Sequence, residues 1–378
     1  IYSGYNQGPN IQRVFDAVWP HVAGAGRIWL NGRFAQPGRY PCQQTDHTYP
    51  SDQFPFAYST TTDHLTGIAD GIMKRPESDP LLFHTQTSAE YWERRGSLAH
   101  TTTSGHDLAA PDNVRIYLYA GAQHSNQPHD PPELGPHRHL TNPHNITTIH
   151  RALLDALNSW ATYDLGPPES RIPTRASHTL TSACEVADRF PKIPNAVCPK
   201  DASRLFVQNF GTSFKDGIVS LEPPEEDLSR EYTVLVPQID EDGNEIPGIR
   251  TPDVAVPLAT YTGWNFRPEN WAAEAMDDLK GSFFPLEYTR TQGKLSKDPR
   301  TTWKERYISR ARYVRMVVAA VEQLVEDRLL SDEDADRYIN EALIFDTIKG
   351  RNLNLEGFRR KHERWTHLGS PEAGFKPT

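Results

Sequence analysis

Apolar residues in this chain gather in short runs separated by long polar stretches. Leu81-Leu82-Phe83-His84-Thr85-Gln86-Thr87 and Val114-Arg115-Ile116-Tyr117-Leu118-Tyr119-Ala120 have the length and the aromatic and aliphatic content of buried strands. Between and around them the period changes from two to 3.6. Ile146, Ile149, Leu153, Leu154, Leu157 and Trp160 fall on one helical face, and Gly166-Pro167-Pro168 ends it. Ile11, Val14, Phe15 and Val18 form a shorter helical face closed by Trp19-Pro20, and His21-Val22-Ala23-Gly24-Ala25 reads as a small-residue strand. Alternation of helix and apolar strand from Val14 to Trp160 predicts a parallel α/β sheet with crossover helices.

Residues 26–80 break this alternation with aromatic, glycine and proline-rich text. A stretch of that length between strands usually marks a lid-like or functional insertion. After Pro168 the chain is irregular until Tyr232-Thr233-Val234-Leu235-Val236-Pro237-Gln238-Ile239, where a turn at Glu241-Asp242-Gly243-Asn244 predicts a β-hairpin returning through Glu245-Ile246. Val254 to Tyr261 reads as a further strand. Tyr307, Ala311, Val314, Val318, Val321, Val325 and Leu329 then repeat at helical spacing, and Ser331-Asp332-Glu333-Asp334 reads as the N-cap of a second helix. The expected organisation is an α/β core over 1–165 with the insertion at 26–80. A loop-rich extension with the β-hairpin follows over 166–300, a helical hairpin over 301–348 and a charged tail over 349–378.

Composition adjusts this picture at a few points. Only 37% of the 378 residues are hydrophobic, while 31 prolines and 24 glycines point to extensive loops. A formal charge of -9 supplies no electrostatic footprint for nucleic acid or an anionic membrane, and no apolar run is long enough for a membrane span. Ile1 reads as a processed or cleaved start. Of three cysteines, Cys42, Cys184 and Cys198, the last two flank a proline-containing loop. A bridge between them would favour an oxidising, secreted or periplasmic setting, and two unrelated thiols are the alternative. Asn145-Ile146-Thr147 matches a glycosylation sequon, a triplet frequent by chance.

The chemistry lies where the strands end. Glu90 follows the first run and His124 the second, the order in which the acid and the histidine of a hydrolase triad are delivered. A carboxylate can fix the imidazole tautomer and stabilise the imidazolium formed during proton transfer. Glu90 has a second reading in helix capping, with Thr87 or Ser88 followed by Glu90 opening a helix through Tyr91 and Trp92. His124 is one of 15 histidines, most of which must serve packing or the surface. Asp107 and Asp112 are weaker acids because both lie in a loop. No Gly-x-Ser-x-Gly occurs. Gly211-Thr212-Ser213 lacks the final glycine and follows the histidine, and Ser3 lacks the leading glycine and a preceding strand. A histidine-rich loop with His124, His129, Asp130, His137, His139 and His144 raises metal binding, although regular ligand spacing is absent. Trp29, Phe34, Tyr40, Tyr49, Phe54, Phe56 and Tyr58 either wall an apolar pocket or pin the insertion to the core. Tyr261-Thr262-Gly263-Trp264-Asn265 is likewise a rim or a packing corner.

Several longer matches unite these features. Gly4-Tyr5-Asn6, Val14-Phe15-Asp16, His21-Val22-Ala23-Gly24-Ala25, Arg33-Phe34-Ala35-Gln36-Pro37 and Asp52-Gln53-Phe54-Pro55-Phe56 come first. Thr87-Ser88-Ala89-Glu90-Tyr91-Trp92, Ala120-Gly121-Ala122-Gln123-His124, Leu140-Thr141-Asn142-Pro143, Val254-Ala255-Val256-Pro257-Leu258 and Thr260-Tyr261-Thr262-Gly263-Trp264-Asn265 follow. With them the chain resembles the alpha/beta hydrolase-domain proteins of bacteria, esterase-like and often exported, over most of residues 4 to 350. The resemblance implies the C-terminal part of an α/β-hydrolase sheet, with Glu90 as acid and His124 as base. It also implies a nucleophile serine and oxyanion hole supplied by a segment N-terminal to Ile1, either missing or a separate companion fragment. The implied activity is serine-type carboxylic-ester hydrolysis of a small or polymeric substrate without a cofactor. A non-catalytic binding or structural protein of the same architecture is the other reading.

Overall fold

A computed structural model describes residues 15–26, 52–125, 132, 134–218, 220–221 and 224–344. Ser3, Trp29, Phe34, Tyr40, Cys42, Tyr49, His129, Asp130, the first part of the helix expected at Ile11 to Val18 and the charged tail lie outside these residues. The centre is a parallel sheet of β1 (Ala17–Val18), β2 (Leu81–Thr87) and β3 (Val114–Tyr119), in the order β1-β2-β3. Leu82 faces Val114 across the ladder and Thr87 faces Tyr119, so both long strands end level with each other. Residues 17 and 18 are therefore strand, where a helical end was expected. The strand expected at His21 to Ala25 reduces to one parallel bridge, His21 with Thr85, followed by a turn. Trp19-Pro20 separates the two pairings, and proline cannot donate to a ladder.

The other side of β3 is not open. Arg171 and Ile249 bridge to Tyr117 and Tyr119, and the N–H of Ile249 donates to the Leu118 carbonyl at 2.7 Å. Phe83, Ile116, Tyr117, Leu118 and Tyr119 are buried to within 1% exposure, which explains their near-continuous apolar sequence. Each such side chain contributes roughly 1.5–3 kcal/mol on burial. Helix α1 (Ser88–Glu93) leaves β2 directly, and α2 (Thr147–Tyr163) packs Ile149, Leu153, Leu157 and Trp160 against Phe83 and Tyr117. Leu154, expected on that face, is exposed. The sequon asparagine begins α2, its Oδ1 accepting from the Thr147 N–H at 2.9 Å.

Toward the C-terminus, α3 (Arg310–Glu326) and α4 (Asp332–Ile344) form the expected helical hairpin, which shares one core with the sheet. The expected face is met in part: Tyr307, Val321 and Leu329 are buried and Val314 and Val325 pack against the same core, but Tyr313, Val317 and Leu324 are buried as well and Ala311 is exposed. A break at Ile308, with φ of 64°, ends the short helix Trp303–Tyr307, and Ser309 caps a new one. That restart rotates the stripe. Ser331 caps α4 through the Asp334 N–H, as read from the sequence.

The expected hairpin around Gly243 is limited to its tip, where Ile239 bridges to Glu245. Val236–Pro237 pairs instead with Leu180–Thr181. Residues 254–261 divide into a short helix, Pro252–Ala255, and the strand Ala259–Tyr261, because Pro252 at the first helical turn favours a helix there. In the insertion, Phe56 packs with Leu98, Leu205 and Tyr232, and Tyr58 packs with Leu82, Val114 and Ile116. These aromatics pin the chain to the core. Tyr58 Oη also bonds His84 Nδ1 at 2.7 Å, and burial lowers the His84 pKa to about 3, so the imidazole is neutral at pH 7.

Cys184 lies on the helix Ala183–Arg189 as an exposed thiol, and Cys198 is a free, part-buried thiol. The bridge considered between them is not formed, because the helix turns the first cysteine outward. Burial pushes the Cys198 thiol up to about 12, which leaves it protonated and unreactive at neutral pH.

The Tyr261-to-Asn265 segment is a packing corner. A Cβ added at Gly263 would lie 2.3 Å from the backbone carbonyl carbon of Ser88 and 2.4 Å from the Ala89 nitrogen. This backbone cannot yield without moving α1. Gly263→Ala is therefore expected to lower stability by about 1–3 kcal/mol, measured by urea denaturation; an unchanged midpoint would show that α1 does not depend on the close approach.

Candidate functional site: an acid and a histidine at adjacent strand ends

Glu90 sits in the first turn of α1, three residues beyond the end of β2, and is fully buried. The helix starts there because Thr87 is extended, with φ -98° and ψ 176°, and turns the chain out of the sheet. Glu90 Oε2 accepts from the Thr87 N–H at 2.7 Å and from the Thr87 hydroxyl at 2.5 Å. The capping reading is thus correct, and it uses one carboxylate oxygen. The other oxygen, Oε1, lies 2.5 Å from His124 Nδ1. Since Oε1 belongs to an acceptor group, Nδ1 carries the proton and donates, which leaves the Nε2 lone pair free to take one. Among the described residues no hydrogen bond reaches Nε2, and the imidazole is 21% exposed.

The turn carrying His124 is held at several points. Gly121, with φ 67°, makes a bend that a side chain would strain, and an added Cβ would press on Tyr261 and Val254 at 3.2 Å. Asn142 Nδ2 donates to the Gly121 carbonyl at 2.7 Å, and Gln123 Oε1 accepts from the Gly281 N–H at 3.1 Å. The Leu140-to-Pro143 and Thr260-to-Asn265 segments thus act as braces for the histidine turn. The α1 side is fixed in the same way, with both Glu93 oxygens accepting from the Leu279 N–H.

A third carboxylate, Glu245, lies beneath the pair. It is buried, and its Oε2 accepts from the Ser88 hydroxyl at 2.5 Å and from the Gly121 N–H at 2.9 Å. Burial raises its pKa to about 7, opposed by those two bonds and by the charge of Arg250. Tyr91, held well above its ordinary pKa by burial and by the Glu245 and Glu90 charges, gives its hydroxyl to the same region and bonds His100 Nε2 at 2.8 Å. Nothing in the local sequence marks Glu245, which the turn at Gly243 brings in from a distant hairpin tip.

On the β1 side, Thr85 Oγ1 accepts from Trp19 Nε1 at 2.8 Å and bonds His21 Nδ1 at 2.8 Å. The His21 ring lies 4.5 Å from that of His150, which stacks on Trp19 at 4.3 Å. Burial, then the neighbouring His150, lowers the His21 pKa to about 4, against the attraction of Glu90. His21 is a neutral imidazole near Glu90 and His124. Period-two alternation of Phe83, Thr85 and Thr87 along β2 is the sequence signal that could have found this cluster.

The remaining candidates lie elsewhere. Asp107 accepts from the N–H groups of Arg175 and Ala176 at 2.7 and 2.8 Å and braces a loop. Asp112 gives its carbonyl to Arg115. Ser213 opens a single turn at Phe214–Asp216. His137 pairs with Asp277, His139 packs on Phe284, and His144 bonds Thr251 at 2.7 Å, so these imidazoles have separate partners. Among the described residues no group of three or more His, Cys, Asp or Glu is placed to hold a metal ion.

Adjacent parallel strands thus bring the buried Glu90 carboxyl and the His124 imidazole together at one end of the sheet. The chain belongs to the alpha/beta hydrolase domain family, whose model matches residues 2–340. No curated protein and no solved structure matches the chain. Among the described residues no helix is long and apolar enough to cross a membrane.

The Glu245 carboxyl gives a pH signature. Its folded pKa of about 7 exceeds the ordinary value of 4.5, so between these values the folded state holds a proton that the unfolded state lacks. Its contribution to stability is therefore lost as pH rises through that window. Glu245→Gln mimics the protonated form and is expected to be more stable than the unaltered protein at pH 8 and nearly equal to it at pH 5 in urea denaturation. A difference independent of pH would contradict the assignment.

Proposed function

We propose that this chain carries the acid and base of a serine-type carboxylic-ester hydrolase. The observation that supports this most strongly is the 2.5 Å Glu90–His124 contact at the ends of adjacent parallel strands, with Nε2 left free of other partners among the described residues. In this reading Nε2 takes the proton of an attacking serine hydroxyl, Glu90 stabilises the imidazolium, and Nε2 then returns the proton to the departing alcohol. Water repeats the sequence to release the acid. No cofactor takes part.

The nucleophile and oxyanion hole would come from a segment or companion fragment N-terminal to the residues described, since no Gly-x-Ser-x-Gly occurs in the 378 residues. Two features favour that side of the sheet. Among the described residues β1 has a strand partner on one side only, and the neutral His21 and Thr85 lie between that edge and the Glu90–His124 pair. The substrate is an ester, small or polymeric.

The test combines intact-mass analysis of native material, labelling with a fluorophosphonate, and hydrolysis of a p-nitrophenyl ester. The expected result is label on a serine of the N-terminal segment or companion, with ester turnover that falls at least about a thousandfold in His124→Ala. Absence of both label and turnover from native material would overturn the proposal in favour of a non-catalytic binding or structural role.

A further inference from the structure

We infer that Glu245 is a positioning residue that sets the separation of Glu90 and His124. This inference rests on the reading of those two residues as acid and base. Its physical basis is a single oxygen. Glu245 Oε2 accepts at once from the hydroxyl of Ser88, the first residue of α1, and from the N–H of Gly121, the first residue after the β3 ladder and its short continuation. Ser88 lies two residues before Glu90, and Gly121 three before His124. The two turns that present the acid and the base are thereby tied to one atom, beneath the contact they make above it.

The ladder alone does not supply this tie. Pairing of β2 with β3 ends at Thr87 and Tyr119, so Ser88 and Gly121 have already left the sheet's hydrogen bonding. Among the described residues, the hydrogen bonds that join the two turns from that level upward are those of the Glu245 bridge and the Glu90–His124 bond itself. Asn142 and Gln123 fix the histidine turn to residues 262 and 281 and Glu93 fixes α1 to Leu279, and the Tyr261–Gly263 backbone packs on both Gly121 and Ser88, but none of these places one hydrogen-bonding group on both turns. A hydrogen bond as short as 2.5 Å weakens with small displacements, and acid–base pairs need placement to within about 0.5 Å.

Glu245 is itself held from behind. Its backbone bridges to Ile239, and the adjacent Asn244 donates from Nδ2 to the Ala259 carbonyl at 3.0 Å and accepts from the Tyr261 N–H at 2.9 Å. The carboxylate is therefore supported by the same Ala259–Tyr261 strand that packs against Gly121. A distant hairpin tip becomes a rigid spacer.

The test reads the His124 imidazole by proton and nitrogen NMR in the full chain, and follows ester hydrolysis where it occurs. In the unaltered protein the Nδ1–H resonance is expected at low field and slow in exchange with water. Glu245→Leu, which removes both bonds, is expected to move it upfield and speed its exchange at least tenfold. Glu245→Gln, which keeps an acceptor oxygen, restores both. Should Glu245→Leu fail to fold, Ser88→Ala removes one of the two bonds, and at least a threefold faster exchange is expected. Unchanged resonance and exchange in Ser88→Ala, or in a folded Glu245→Leu, would overturn the inference. Where ester turnover is present, kcat falls with KM unchanged in the leucine variant and recovers in the glutamine variant. If native material neither takes the fluorophosphonate label nor hydrolyses esters, the functional proposal fails while the resonance still decides the role of Glu245.

Discussion

A carboxylate removed from water is stable only where hydrogen-bond donors replace its hydration, and Glu90 is the point at which this requirement organises the molecule. Three donors meet it: the Thr87 N–H, the Thr87 hydroxyl and His124 Nδ1. The first two require the chain to leave β2 and begin a helix at once. The third requires the turn after β3 to reach back over the same spot. An isolated buried charge costs several kcal/mol or more, so neither requirement can be relaxed alone. The direction of α1, the bend at Gly121 and the tautomer of His124 all follow from filling one acceptor group.

The surrounding segments extend the same logic. Ser88 and Gly121 meet on Glu245, Glu93 takes the Leu279 N–H, Asn142 donates to the Gly121 carbonyl, and Gly281 donates to Gln123 of the histidine turn. These partners come from parts of the chain with little regular secondary structure. The region after Pro168, polar and loop-rich, thus supplies most of the scaffold around Glu90 and His124. Glycines at 121 and 263 permit this, one by turning the backbone and the other by letting it approach α1 closely.

Much of this was legible in the sequence where residues act locally. The two long strands announced themselves through continuous apolar runs, the C-terminal helices through their spacing, and Glu90 and His124 through their positions just past the strands. The capping reading of Glu90 is met by its Oε2, which leaves Oε1 to meet the His124 imidazole. What escaped depends on distant chain. Glu245 carries no local signal because its partners lie more than a hundred residues away, and Val236–Pro237 found a partner in Leu180–Thr181 rather than across its own turn. The buried stripe of α3 was found in part, at Val321 with Val314 and Val325 beside it, while Tyr313, Val317 and Leu324 were missed because periodicity was read through Ile308, where the backbone breaks. The cysteines seemed to flank a loop because the short helix holding Cys184 has too few residues to show a period.

The central claim is that Glu90 and His124 stabilise each other as a buried acid–imidazole pair. A double-mutant cycle on folding stability tests it most directly, using Glu90→Gln, His124→Ala and the combined variant in urea denaturation at pH 7. Removing His124 strands a buried carboxylate in the unaltered background and only a neutral amide in the glutamine background, so the account predicts a coupling of about 1–3 kcal/mol. Additivity of the two changes to within about 0.3 kcal/mol would contradict it.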